Sequence, residues 1–170
     1  TAMLNFAGGN RGSFHFYAAG ELLGDLALAL NNYEAAVKYY GALSAAPWPE
    51  YKMRSAVLVA GAQRAQGDFA AALQKYNEAL ASPLDTAEAS RQKLFAEVGK
   101  AVCLAETGKP EEGIQLVEEV IANNDPQQSP VLFGRAYNAL GTCYRTLNKT
   151  KDALLAYLHV DLMFYSEPET

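Results

Sequence analysis

The stretch AYNALGTCYRTLNKTKDALLAYLHV, residues 136–160, decides the fold of this chain. Its first half carries small or apolar residues at i, i+3, i+4 and i+7, the spacing of one helix face: Tyr137, Leu140, Gly141 and Tyr144. The polar turn LNKT follows, and Ala153 and Tyr157 then stand four positions apart on a second helical face. Two helices joined by so short a turn lie antiparallel. The stretch therefore predicts a helical hairpin.

The second half of this hairpin recurs along the chain. A polar turn, a small residue and a larger residue four positions later occur together at four places: Ala36 with Tyr40, Ala72 with Tyr76, Gly113 with Val117, and Ala153 with Tyr157. The small residues are separated by 36, 41 and 40 positions. A period of this size is typical of helical repeats, in which each unit buries its apolar face against the next unit.

This pattern resembles the tetratricopeptide repeat family, whose unit of about 34 residues reads W-x2-L-G-x2-Y, then A-x3-F, then P. The fourth repeat matches best, with Tyr137 in the place of the tryptophan. The other matches are Leu23, Gly24, Ala36, Tyr40 and Pro47 in the first repeat, Ala72, Tyr76, Ala79 and Pro83 in the second, and Ala101, Leu104, Gly113 and Val117 in the degenerate third. The resemblance covers residues 16–165. It implies an all-α fold, a right-handed superhelix of antiparallel helix hairpins with about eight helices.

The repeats predict how the chain is organised. Residues 1–12 form a flexible or linker segment, and residues 13–170 form a single domain of four hairpins, at about 13–46, 50–82, 86–123 and 130–166. The residues that lengthen the period fall in the links before the third and fourth hairpins. Asp85, with Glu88 three positions later, predicts a capped helix start and a long helix from Thr86 to Glu106.

Small side chains are expected where two helices cross closely. Gly24, Ala60, Ala101 and Gly141 take this role in the first helices of the four hairpins. Cys103 and Cys143 hold the same place in consecutive repeats, about 10 Å apart, which is too far for a disulfide, so both are predicted to be small buried hydrophobes. Trp48 is predicted to fill the junction of the first two hairpins, with an exposed recognition aromatic as the alternative.

Composition and motifs exclude several classes of function. The 14 basic and 19 acidic residues give a net charge of −5 and form no basic cluster, which argues against nucleic acid as a partner. No apolar run reaches the roughly 18 residues of a membrane span. Catalytic, phosphate-binding, metal-binding and cofactor-binding patterns fail on residue identity.

The chain begins at Thr1 rather than at a methionine, so a cut or processed protein is expected. The choice between cytoplasm and bacterial periplasm stays open.

The resemblance implies that the first helix of each hairpin lines a concave groove that holds a peptide. The residues expected on this face are Arg54, Val57, Arg64, Phe95, Val98, Val102, Arg135, Asn138, Thr142 and Arg145. A basic rim around an apolar centre suits an acidic segment with hydrophobic anchors. In the alternative, the arginines only keep the face solvated or pair with neighbouring glutamates. Glu21 and Asp25, on the first of these helices, argue against the clamping of chaperone tails.

The sequence thus predicts a non-catalytic protein interaction module, similar in style to bacterial repeat proteins. The alternative is a structural role, in which the last hairpin drives homo-oligomerisation or packs on another domain through Leu162, Met163 and Phe164. A third possibility is an accessory to a catalytic domain elsewhere in a longer protein. No cofactor or metal is expected.

Overall fold

A computed structural model describes residues 13–164, apart from the side chains of the last two of them. These residues form eight α-helices and one short 3-10 helix, Leu43–Ala45, and they include no strand. The α-helices are α1 Phe14–Ala29, α2 Tyr33–Ala42, α3 Pro49–Gln66, α4 Phe69–Leu80, α5 Ala87–Glu106, α6 Pro110–Ala122, α7 Pro130–Thr146 and α8 Thr150–Phe164. The predicted all-α fold of about eight helices is confirmed. The predicted linker, residues 1–12, lies outside the described residues.

Four turns of one type join the helices of the four hairpins. Each has a residue with left-handed backbone, namely Asn31, Gly67, Gly108 and Asn148, with φ between 56° and 90°. The next amide donates a hydrogen bond back to a carbonyl five residues earlier, at 2.8–2.9 Å in all four turns. This closure satisfies carbonyls that the helix end leaves open. Glycine and asparagine adopt the left-handed conformation at low cost, which explains these residue types.

Polar side chains cap several of the helix starts. The side chains of Ser13, Asn32 and Asp68 accept hydrogen bonds from backbone amides at the starts of α1, α2 and α4. At α5 the cap is Thr86, whose hydroxyl accepts from the Ala89 amide at 3.1 Å. The predicted start of this helix is therefore displaced by one residue, because Thr86 rather than Asp85 reaches the open amide.

The described helices divide into two compact units, and the boundary falls within α5, between Ala96 and Glu97. In the first unit α1 packs on α2, α2 on α3, and α3 on α4. Its core includes Tyr17, Ala27, Ala36, Tyr40, Leu43, Val59 and Ala62. A Cβ built on Gly24 would lie 2.4 Å from the Tyr40 ring, so only glycine permits this crossing.

The second unit repeats this crossing. A Cβ on Gly141 of α7 would lie 2.3 Å from the Tyr157 ring of α8. On α6, a Cβ on Gly113 would lie 2.7 Å from the Ala101 carbonyl oxygen and 3.0 Å from the Cys143 sulfur. A tyrosine ring at Gly141, and a backbone carbonyl and a thiol at Gly113, therefore leave no room for a side chain at these two positions.

Both cysteines are fully buried and are not joined by a disulfide, as predicted. The Cys143 thiol donates a weak hydrogen bond to the Ala101 carbonyl at 3.8 Å, and burial raises the pKa of this thiol to about 11. Cys143 is therefore a packing residue rather than a nucleophile. Among the residues that the structure describes, no helix combines the length and the apolar character that crossing a membrane requires.

Candidate functional site

In the first unit, charged side chains form a row across the first helices of successive hairpins. Arg54 of α3 holds Glu21 of α1 through Nη2 and Nε, at 2.6 and 3.1 Å from the same oxygen, Oε1. On its other side, Nη1 lies 3.5 Å from Oε1 of Glu88 on α5. Glu88 also binds Arg91 at 2.8 Å and accepts a hydrogen bond from Gln92 at 2.8 Å. We call Glu21, Arg54, Glu88 and Arg91 the charged row.

The charged row joins the first helices of the unit without following the repeat register. Glu21, Arg54 and Glu88 are separated by 33 and 34 positions, whereas the matching small residues of these repeats are separated by 36 and 41, so the three side chains hold different places in the repeat. They still face one another across neighbouring first helices with alternating charge. Sequence reasoning singled out Arg54 but missed its pairing with Glu88. The repeat register carries no signal for this pair, because Arg54 and Glu88 hold different places in it.

The charged row fixes the protonation of Arg54. Partial burial acts to lower the pKa of its guanidinium, but the hydrogen bonds to Glu21 and the nearby carboxylates outweigh burial and raise this pKa. Burial raises the pKa of the neighbouring Tyr51 as well. Arg54 thus remains a cation. Glu21 and Glu88 both contact its guanidinium, and the contact with Glu88 is the longer of the two.

In the second unit, an ion pair also joins two first helices. Arg145 of α7 pairs with Glu106 at the end of α5. Its side chain is 59% exposed, against 34% for Arg54, so water screens this pair more strongly. Arg135 and Asn138 are exposed on the same helix, and the Thr142 hydroxyl donates to the Asn138 carbonyl at 3.0 Å. For Arg54 and Arg145, the alternative of pairing with neighbouring glutamates is the arrangement seen.

The apolar residues predicted for the face differ in their burial. Val57 and Val98 are buried, with 9% and 4% of their area exposed, so they pack in the helix layers and offer little to a ligand. Phe95, Val102 and Arg64 are half-buried. A helical wheel assigns a residue to a face, but the neighbouring helices decide how much of that face they cover.

A cleft in the first unit was missed by sequence reasoning. A cleft of about 700 Å³ lies between α2 and α4, with α3 as its floor. Its apolar lining includes Val37, Gly41, Met53, Ala56, Val59 and Ala79, and its charged lining residues are Lys52, Lys75 and Glu78. A smaller cleft of about 130 Å³, between α1 and α2, includes Phe16, Gly20, Leu23 and Tyr39.

One position of the repeat accounts for both clefts. Tyr137 holds the tryptophan place in the fourth hairpin, and Gly20, Ala56 and Glu97 hold that place in the first, second and third. Gly20 lines the smaller cleft and Ala56 the larger one. A residue without a large side chain leaves open the space that an aromatic ring fills elsewhere in the family. This departure from the pattern was the sequence signal for the clefts.

Exposed leucines form a stripe along α8. Leu154, Leu155, Leu158 and Leu162 leave 43–73% of their area exposed. Leu162 belongs to the predicted oligomer face, whereas the side chains of Met163 and Phe164 lie outside the description. The stripe has the spacing of one helix side, and contiguous apolar surface of this kind marks interaction sites.

Trp48 lies at the junction of the first two hairpins. Its ring contacts Phe14 and Tyr17 of α1 and Tyr51 of α3, at centroid distances of 6.0, 5.9 and 5.5 Å. The Tyr17 hydroxyl donates to the Ala45 carbonyl at 3.1 Å, which ties the cluster to the preceding 3-10 helix. Trp48 keeps 37% of its area exposed, so it fills the junction and also presents an edge to solvent.

Comparison with known proteins agrees with the geometry. Residues 21–89, which contain the charged row up to Glu88 and the larger cleft, match a family model described as tetratricopeptide repeat. A search of curated proteins found no match. Tetratricopeptide repeats generally mediate protein–protein interactions and are typically non-catalytic. Within residues 13–164, no three histidine, cysteine or acidic side chains come together as metal ligands. Residues 21–89 of this chain thus resemble the tetratricopeptide repeat, and the left-handed turns and glycine crossings of the described residues agree with a helical repeat of this type.

Proposed function

We propose that this chain is a non-catalytic interaction module that holds a peptide segment of a partner protein against its first helices. The observation that carries the proposal is the charged row. Its side chains pair across neighbouring first helices and remain one-fifth to three-fifths exposed, so they present ordered charge to a partner. Such an arrangement fixes the position and direction of a bound chain more than it stabilises the fold.

The chemistry of the row favours an acidic segment with hydrophobic anchors. The longer contact of Arg54, to Glu88, is the one that a partner carboxylate replaces at least cost, because Glu21 stays bound on the other side. Arg91 is 60% exposed and offers a second cation three residues along α5 from Glu88. Half-buried Phe95 provides apolar contact on the same helix. In the second unit, exposed Arg145 and Arg135 offer a separate basic surface.

The test is a selection followed by charge reversal. Peptides are selected from a random displayed library on the wild-type protein, and their affinities are measured by calorimetry. We expect acidic sequences with one or two large apolar residues, and Arg54→Glu should weaken their binding about 10-fold or more. The matched control is Lys38→Glu, the same charge change at an exposed site on α2. Equal affinity of the wild type and Arg54→Glu contradicts the proposal.

The leucine stripe of α8 supports a second function, self-assembly through the last hairpin. Leu154 and Leu158 stand four positions apart and leave 57% and 43% of their area exposed. Light scattering should show a mass that rises with protein concentration, and Leu154→Glu with Leu158→Glu should give a monomer at all concentrations. Lys151→Glu, at an exposed position of the same helix, is the control. A wild-type mass that stays monomeric at high concentration excludes this role.

A further inference from the structure

The cleft of about 700 Å³ in the first unit has the size of a ligand site. Ligand-binding pockets commonly enclose about 300–1,000 Å³, with mostly apolar walls and a few polar groups that orient the ligand. Here Met53 and Val59 of α3 supply buried apolar floor, and Val37 and Ala79 supply walls from α2 and α4. The cleft lies on a different face of α3 from Arg54, because Lys52, Ala56 and Val59 follow one helical stripe that excludes it.

Two positions without a large side chain explain the depth of the cleft. Ala56 stands at its floor in the place where the family pattern has tryptophan and the fourth hairpin has Tyr137. Gly41 stands in the α2 wall, and a Cβ built on it meets no atom within 4 Å. The cleft is therefore open space beside the tryptophan position. An aromatic side chain supplied from outside fits this space by shape.

Two lysines line the cleft and favour a ligand that carries negative charge. Lys75 is held by Glu78 at 2.7 Å, so its charge is already compensated. Lys52 is exposed and has no ion-pair partner among residues 13–164. A carboxylate next to the bound aromatic ring would complement Lys52.

We propose that this cleft is a second binding site, for a partner peptide that inserts a tryptophan or another large aromatic side chain beside Ala56 and places an acidic residue on Lys52. In the family pattern, an aromatic residue of the repeat itself fills this space. Here the ring of the partner takes its place. The site extends the interaction function to the second-helix side of the first unit. It does not depend on the charged row, which Arg54→Glu tests separately.

The probe is a fluorescein-labelled hexapeptide with one tryptophan between two glutamates and alanine elsewhere, and binding is measured by fluorescence anisotropy. Two control peptides replace the tryptophan by alanine or the glutamates by lysine. Ala56→Tyr and Gly41→Leu fill the cleft from its floor and from its wall, and Lys52→Glu reverses the charge. Lys38→Glu is the matched control on α2, at an exposed site outside the cleft lining. Thermal melts show that each variant is folded.

The tryptophan peptide should bind wild type about 10-fold more tightly than the alanine peptide, and each filling variant should lower its affinity by about the same factor. Lys52→Glu should lower the affinity about fivefold, and Lys38→Glu should leave it unchanged. If Ala56→Tyr does not fold, the result with Gly41→Leu decides whether the cleft binds the peptide. This variant should fold, because leucine favours the helix more than glycine does. Equal binding of the tryptophan and alanine peptides overturns the proposal. Unchanged binding of the tryptophan peptide to Ala56→Tyr and Gly41→Leu overturns it as well. A loss of self-association in the filled variants, without loss of peptide binding, also overturns it and assigns the cleft to a second copy.

Discussion

The first and fourth hairpins make the same helix crossing but anchor it differently. Gly24 and Gly141 each press against a tyrosine ring 16 positions later, with built Cβ distances of 2.4 and 2.3 Å. Tyr40 is 1% exposed, and its hydroxyl donates to Asp25 at 2.7 Å. Tyr157 is half-buried, and its hydroxyl has no hydrogen bond to any residue in 13–164. One sequence signature thus gives a buried, hydrogen-bonded ring in one hairpin and a half-buried ring in the other.

The same contrast appears in the arginines. Arg54 has acidic partners on two neighbouring first helices, whereas Arg145 has one and is more exposed. In the first unit the acidic partners stand 33 and 34 positions from the arginine, and in the second unit the distance along the chain is 39. None of these distances equals the repeat interval that it spans, which is 36, 41 or 40 positions. Contacts between the helices, rather than the repeat register, therefore decide which charges pair.

Replacing the crossing glycines should give the largest difference between the hairpins. Gly24→Ala should cost about 3 kcal/mol of unfolding free energy, because the buried Tyr40 ring cannot move away. Gly141→Ala should cost about 1 kcal/mol, because the Tyr157 ring can swing toward solvent and alanine favours the helix. Urea denaturation of both variants measures the two costs. Equal costs would show that the two rings are held equally firmly.

Removing the tyrosine hydroxyls tests the anchoring directly. Tyr40→Phe should cost about 1.5 kcal/mol, because it removes a hydrogen bond to a carboxylate, whereas Tyr157→Phe should cost less than about 0.5 kcal/mol. Both stabilities are obtained from urea denaturation at neutral pH. A cost at Tyr157 as large as that at Tyr40 would contradict the structural contrast.

The Tyr40 anchor also predicts a pH dependence. Burial, together with the Asp25 carboxylate, raises the pKa of the Tyr40 phenol, while the unfolded phenol titrates near its ordinary value of about 10. The folded state therefore holds this proton more tightly, and the stability that Tyr40 contributes is present below about pH 10 and is lost as the pH rises above it. Urea denaturation between about pH 8 and 11 should show a shallower alkaline loss for Tyr40→Phe than for wild type. Identical slopes would contradict the assignment.

The ion pairs should give the smallest difference. Arg54→Ala should cost about 1 kcal/mol, because it leaves Glu21, whose side chain is only 19% exposed, without its partner. Arg145→Ala should cost less than about 0.5 kcal/mol, since its pair is well screened by water. Thermal denaturation at low and high salt checks both values, and salt should reduce the Arg54 effect. A larger cost at Arg145 would reverse the ranking of the two pairs.

Most of the fold prediction rested on sequence patterns that are local to one hairpin. The helical period, the turn residues and the small residues at the crossings lie within one hairpin each, so a short window of sequence contains the information. The start of α5 was displaced by one residue because Asp85 and Thr86 are both good capping residues. The position of the Ala89 amide decides between them.

The candidate sites were harder to predict because they depend on register between helices. Val57 and Val98 were assigned correctly to helices but proved to be core, since neighbouring helices cover them. The partner of Arg54 on α5 lies 34 positions away along the chain, and the α2 and α4 walls of the cleft lie 15 to 23 positions from Ala56. Periodicity within one helix holds no information about such distant neighbours, although comparison of equivalent repeat positions recovers part of it.

The sequence by itself determined four hairpins, their turns and the glycines that let helices cross, because these follow from backbone conformation and helical spacing over short distances. The tertiary structure alone decided which charges are neutralised, which apolar residues stay exposed and where space remains beside α3. These properties depend on how far the side chains of one helix reach toward the next. That distance is set by packing between segments far apart in the chain.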